Sequence, residues 1–224
     1  MGLKILNLYA CLGGNRYKWD EVAEQADIEI EVTAVELDPE AARLYQERFP
    51  KDKVIVADAH QYLLDHYKEF DFIWSSPPCP THSRIRYNQS KGRDDNIYLP
   101  MYPDMKLYQE IIFLQSYFKG KYVVENVIPY YEPLIPAKKR GRHLYWTNFN
   151  LPSDLSNRKA QVGTGKNEVQ KLCAFHEIDL SDYKGNQRKD KIARNLVDYE
   201  AGRTILETAL GIIKASDQKQ ISLF

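Results

Sequence analysis

Apolar and polar positions along the 224-residue chain follow two alternating periods. Short β-rich apolar runs recur at 4–10 (KILNLYA), 30–37 (IEVTAVEL), 53–57 (KVIVA), 70–75 (FDFIWS), 121–127 (KYVVENV) and 143–149 (HLYWTNF). Each predicts a strand. Between most of them the pattern turns helical: WDEVAEQA follows the first run and DPEAARLYQERF the second. Asp38 and Pro39 suit an N-cap and a first helical position. MKLYQEIIFLQSYF sets Met105, Tyr108, Ile112 and Phe118 near one face. This alternation predicts an α/β fold, a mostly parallel sheet with helices on both faces. Ligands of such sheets bind beyond the carboxyl ends of the strands.

Two stretches break the pattern. Residues 80–104 are polar and turn-rich, which suits a lid. Residues 150–192 are polar and basic with few apolar anchors, and are expected to form a small separate lobe. ILETALGII reads as an amphipathic helix returning to the main domain. The expected division is a main domain over 1–149, a lobe over 150–192, a helical return over 193–216 and a tail over 217–224.

Composition narrows the class. Apolar content of 43% and charged content of 28% are those of an ordinary soluble globular protein. Cys11, Cys79 and Cys173 form no CxxC pair and are odd in number, so neither a disulfide framework nor a metal site is expected. The apolar run in MGLKILNLYACLGG is too short for a signal peptide or membrane span, so a cytoplasmic protein with no membrane partner is expected; a monomer is the separate expectation for its assembly. Formal net charge is zero, but acid predominates in the first 71 residues and base in the rest, most densely in KKRGRH at 138–143. Such a run is most often solvated surface, although a one-sided basic face would also attract nucleic acid.

Candidate chemistry concentrates at the expected strand ends. In DFIWSSPPCPTHSR (71–84), Pro77, Pro78 and Pro80 surround Cys79 on a turn lacking three amide donors. A small buried residue and a displayed nucleophile fit this stretch about equally. Gly13 and Gly14 after the first strand would allow close backbone approach to a ligand. Glu36 ends the second strand, where a carboxylate commonly accepts from a ribose, and Asp58 ends the third. Each alone reads as a turn or a surface carboxylate; the ordered trio favours a nucleoside. Beyond the next strand ends lie Glu125 and Asn126, and a thiolate, a carboxyl group and a guanidinium are expected to converge on one crevice.

In order and spacing, these residues resemble the DNA cytosine-5 methyltransferases, as a short phage- or bacterial-type member. NLYACLGG resembles the family's opening Asp-Leu-Phe-x-Gly-x-Gly-Gly, VELDPEA its ribose-binding motif and ADA its adenine-contacting one. SSPPCPTHS looks like the Pro-Cys-Gln nucleophile motif, ENV at 125–127 is intact, RGR at 140–142 matches Arg-x-Arg, and RNLV at 194–197 resembles Gly-Asn-x-Val. The chain departs from the pattern at Asn7 (for aspartate), Cys11 (for glycine), Ser75-Ser76 (for Gly-Gly), Pro80 (for glutamine) and Arg194 (for glycine). Its lobe is shorter than the family's target-recognition domain.

The resemblance implies a Rossmann-like methyltransferase sheet with a small recognition lobe. S-adenosylmethionine would be held by Tyr9, Ala10, Gly13, Gly14, Glu36, Leu37, Asp58, Ala59, Pro77, Asn195 and Val197. Cys79 would add to carbon 6 of a flipped-out cytosine, Glu125 would serve ring nitrogen 3, Arg142 would hold the base carbonyl and Arg140 would support the catalytic loop or a phosphate. Double-stranded DNA would meet Ser83, Arg84, Arg86, Lys91 and Arg93 of the lid, and Arg188, Lys189 and Lys191 of the lobe. An RNA (transfer RNA) cytosine-5 methyltransferase and an inactive DNA-binding paralogue are the alternatives. Gln220, Ile221, Leu223 and Phe224, in the tail QISLF, resemble the peptide that docks bacterial proteins on the replicative sliding clamp.

Overall fold

A computed structural model describes residues 2–84, 87–88, 102–159 and 167–214. Its strands are β1 Leu3–Leu8, β2 Ile30–Glu36, β3 Lys53–Val56, β4 Phe72–Ser75, β5 Lys121–Val127, β6 Lys138–Arg140 and β7 His143–Thr147. Its helices, numbered here in chain order, are α1 Trp19–Gln25, α2 Pro39–Arg48, α3 Ala59–His66, α4 Lys106–Tyr117, α5 Glu168–His176, α6 Lys189–Asn195 and α7 Tyr199–Ala209. The sheet runs β3-β2-β1-β4-β5-β7-β6; the first five strands in that order are parallel, and β7 and β6 are antiparallel. Both faces are covered, which is why the central strands are nearly continuous apolar runs.

Side chains of a strand point alternately to the two faces, and the core divides accordingly. Leu6, Leu8, Val35, Ile73 and Trp146 pack on one side against Leu63 of α3 and Ile111 and Leu114 of α4. Ile5, Phe72, Trp74, Val123 and Tyr145 pack on the other against Trp19 of α1 and Ile205 and Leu206 of α7. Each such fully buried side chain contributes about 1.5–3 kcal/mol. α7 crosses the β1 turn so closely that a Cβ on Gly202 would lie 2.2 Å from the Asn15 carbonyl oxygen.

The described residues beyond β7 pack against this body. Leu151 and Leu155 belong to the α1–α7 side of the core. Leu172, Leu180, Tyr183 and Ile192, further along the polar stretch, pack with Leu12 and Ala41. Asp38, the N-cap of α2, also accepts from Tyr183 Oη at 2.7 Å and Gln187 Nε2 at 2.9 Å. The described parts of 150–192 thus rest against α2 and the turn after β1.

Candidate active site

A cleft of about 510 Å³ opens at the carboxyl ends of β1 to β5. Its size is that of a small-molecule site. The turn after β1 forms one wall. Tyr9 (φ 57°), Cys11 (φ 48°) and Gly13 (φ 68°) all take left-handed backbone there, a conformation that favours glycine and costs other residues about 1–2 kcal/mol. Cys11 therefore stands in a glycine's conformation. Tyr9 and Cys11 line the cleft, and Cys11 N donates to Glu36 Oε2 at 2.8 Å. Burial and then Glu36 push the Cys11 thiol up to about 12, so it is a neutral part of that wall.

Ala10, Gly13 and Gly14 sit behind the wall instead. A Cβ on Gly13 would meet Phe49 at 2.4 Å and Tyr45 at 2.8 Å. One on Gly14 would meet the Val197 carbonyl oxygen at 2.4 Å. Internal packing, rather than approach of a ligand, accounts for these glycines. The contact at Gly14 also brings Asn195 and Val197 to the cleft.

Glu36, Leu37, Asp58 and Ala59, from the ends of β2 and β3, also line the cleft. Leu37 is 67% exposed. Glu36 accepts one amide on each oxygen, from Cys11 and from Asp38, and each oxygen keeps a further lone pair. Asp58 caps α3 through Oδ1, while its Oδ2 lies 3.6 Å from Lys106 Nζ. An exposed apolar surface between two carboxylates with acceptor capacity fits the adenosine of S-adenosylmethionine. Leu37 would pack on the base, Glu36 would take ribose hydroxyls and Asp58 the amino group. Arg194, where a glycine was expected, is held by two hydrogen bonds to Glu168, at 2.9 and 2.6 Å.

Cys79 lies at the far end of the same cleft, together with Pro77, Pro78 and Pro80. The Pro77 carbonyl accepts from Asn126 Nδ2 at 3.0 Å. The Cys79 carbonyl accepts from the amides of His82 and Ser83, each at 3.0 Å. A bridge between Ser83 and Pro129, and a 2.7 Å bond from Arg84 Nε to the Pro129 carbonyl, fasten this turn to the loop after β5. His82 is fully buried beneath it, with Nδ1 against Tyr131 Oη. Arg86, Lys91 and Arg93 lie outside the described residues, as do Gln220, Ile221, Leu223 and Phe224.

Burial first, then the Glu125 carboxylate, pushes the Cys79 thiol up to about 11; Lys191 acts in the opposite sense. Glu125 is buried at the end of β5 and lines the cleft, as Lys191 does. Lys191, expected on a phosphate-binding surface, thus lies in the cleft. Arg188 is 84% exposed and paired with Asp190, and Lys189 donates to the Ser181 carbonyl.

The expected guanidinium does not reach this crevice. Arg140 donates to the backbone carbonyls of Pro152, Leu151 (3.0 Å) and Lys139 (2.9 Å), fastening the chain after β7. Gly141, at φ 55°, turns the hairpin between β6 and β7 so that Arg142 is exposed, its charge felt at His176. The residue brought into the cleft is His143, whose Nε2 lies 3.7 Å from Glu125 Oε1. Its signal in the sequence was its place at the start of the HLYWTNF run. Among the described residues no group of side chains could hold a metal ion, and no helix is long and apolar enough to cross a membrane.

Comparison with known proteins bears on the fold and the family. The chain resembles the Entamoeba histolytica methyltransferase EhMeth, with 10% identity over 96% of this chain and 99% of that one and a TM-score of 0.55, a likeness of fold. A mutant of the Spodoptera frugiperda DNMT2 matches at 25% identity with a TM-score of 0.39, over 56% of this chain and 36% of that one. The chain thus spans about a third of the insect protein's length. No curated protein matches. Residues 3–128, more than half of the chain, match the family described as C-5 cytosine-specific DNA methylase, whose cofactor is S-adenosylmethionine. The chain belongs to the C-5 cytosine-specific DNA methylases.

Proposed function

We propose that the protein methylates carbon 5 of cytosine in DNA, through a transient bond between Cys79 and carbon 6. The observation that carries this reading is the meeting of Cys79 and Glu125 in a cleft whose other end suits an adenosine. S-adenosylmethionine supplies an electrophilic methyl group when bound. Carbon 5 of cytosine is too weak a nucleophile to take it unaided, and Cys79 remedies this. As the sulfur bonds to carbon 6, the electrons of the 5,6 double bond shift to carbon 5. The thiol proton passes to Glu125, whose charge already bears on it, and Glu125 protonates ring nitrogen 3. After methylation, carbon 5 loses its proton to water, the double bond re-forms with expulsion of the sulfur, and the nitrogen-3 proton returns through Glu125 to the thiolate.

DNA is the substrate favoured by the family description. The base must leave the stack to reach so enclosed a thiol. Lys191 would hold a phosphate or the flipped nucleotide at the cleft, with Arg188 and Lys189 on the surrounding surface of the 150–192 segment; neutralising all three should flatten the salt dependence of DNA binding. An unchanged slope would move recognition elsewhere. Incubation with methyl-labelled S-adenosylmethionine and duplex DNA or RNA, followed by nucleoside analysis, tests the substrate. Label in 5-methyldeoxycytidine supports the proposal, and label only in 5-methylcytidine from RNA overturns its DNA part.

The tail peptide QISLF would raise the local concentration of the enzyme on newly copied DNA by docking on a sliding clamp. Removal of residues 220–224 should abolish binding to a purified bacterial clamp while methylation of short duplexes persists. Undiminished clamp binding would remove that role.

A further inference from the structure

We infer that His143, not an arginine of the Arg140–Arg142 stretch, meets the 2-carbonyl oxygen of the target cytosine. The inference deepens the proposed function and rests on cytosine as the substrate. Methylation at carbon 5 needs the ring to accept electrons, so a donor on the 2-carbonyl is worth most as charge develops there. Both arginines are placed elsewhere: Arg140 on three backbone carbonyls, Arg142 exposed at the hairpin.

His143 has the placement they lack. The antiparallel register pairs it with Val127 and pairs Tyr145 with Glu125. His143 and Glu125 therefore project from the same face of the sheet, since residues two apart on a strand share a face. Their Nε2 and Oε1 atoms are 3.7 Å apart, and both line the cleft that holds Cys79. Ring nitrogen 3 and the 2-carbonyl of cytosine are neighbours on one edge. A carboxyl group and an imidazole N–H side by side match that edge, one serving the nitrogen and the other donating to the oxygen. The His143 ring also lies 6.5 Å from the Tyr145 ring on its own strand, centroid to centroid.

The test couples a variant to an altered base. Duplexes carry the target cytosine, mapped with the wild-type enzyme, or 2-thiocytosine, whose sulfur is a poorer acceptor. His143→Ala should lower kcat on the cytosine duplex on the order of 100-fold, with S-adenosylmethionine binding unchanged. His143→Gln and His143→Arg, which keep a donor, should recover part of the loss. Sulfur substitution should slow the wild type about tenfold or more yet leave His143→Ala no slower, as expected of two changes that remove one contact. An equal cost of sulfur in both proteins, or a wild-type kcat in His143→Ala, overturns the inference and leaves cytosine methylation intact. A wild-type protein that methylates cytosine in neither DNA nor RNA overturns the substrate reading itself, and this inference with it.

Discussion

Asn126 donates from Nδ2 to the Pro77 carbonyl at 3.0 Å, and its Oδ1 accepts from the amide of Val127 at 2.9 Å. One buried amide thus ties the end of β5 to the turn that carries Cys79, two segments 49 residues apart in sequence. The bond orients the turn without touching the reacting atoms. Asn126→Ala leaves a buried carbonyl without its partner, at a cost of about 1–3 kcal/mol. The expected result is a roughly 10- to 100-fold loss of kcat with cofactor binding retained. Calorimetry with S-adenosylmethionine and single-turnover kinetics separate the two, and an unchanged kcat would show that the bond does not position Cys79.

Cys79 should be a sluggish thiol in the free protein. Its ordinary value of 9.0 rises to about 11 through burial and then Glu125. Only the thiolate is alkylated, so near pH 8 the reactive fraction is about 100-fold below that of an unperturbed cysteine. Alkylation by iodoacetamide, read at Cys79 by peptide mass, should keep rising with pH beyond 9. Glu125→Gln removes a negative neighbour and should speed alkylation at fixed pH. Lys191→Ala removes a positive one and should slow it. A rate that levels off near pH 8 would contradict this placement.

Gly202 offers a test in which two effects have opposite signs. It lies within α7, where alanine is favoured over glycine by about 1 kcal/mol. A Cβ there would lie 2.2 Å from the Asn15 carbonyl oxygen, which is backbone and moves only with the turn after β1. Overpacking should prevail, and Gly202→Ala should destabilise the protein by about 1–3 kcal/mol in denaturant titration. A more stable variant would mean that α7 does not approach the turn so closely.

Arg140 should matter for stability more than for chemistry. Its guanidinium holds the carbonyls of Leu151 and Pro152 just after β7. Arg140→Ala should lower the unfolding free energy by about 1–3 kcal/mol, while kcat at a temperature where the variant is folded changes less than threefold. A large kcat loss with unchanged stability would return Arg140 to the active site.

Much of the fold was legible because strands buried on both faces are apolar throughout. The six expected strands match β1 to β5 and β7 within a few residues at their ends. β6 was not foreseen: Lys138, Lys139 and Arg140 read as a solvated charge run, and only pairing with β7 makes them a strand. Helices α5 and α6 were hidden in a polar stretch whose few apolar residues, Leu172 and Ile192 among them, face the main domain. That Cys79, Glu125, Glu36 and Asp58 share one cleft was legible because strand ends converge in a parallel sheet; that Ala10, Gly13 and Gly14 lie behind its wall was not, because their packing partners come from distant segments. The presence of His143, rather than Arg142, in the cleft lining was not legible either. It depends on the phase in which β7 leaves the turn at Gly141, and a shift of one residue exchanges the two faces.

Covalent capture tests the central claim most directly. In 5-fluorocytosine the carbon-5 position carries fluorine, so the final proton loss cannot occur and the bond to sulfur persists. Wild-type protein with S-adenosylmethionine and duplex DNA bearing 5-fluorocytosine at its target should give a denaturation-resistant adduct, with the DNA attached to the peptide containing Cys79. Cys79→Ala should give none while still binding S-adenosylmethionine. An equal adduct in the variant, or methylated cytosine made by Cys79→Ala at the wild-type rate, would contradict the account.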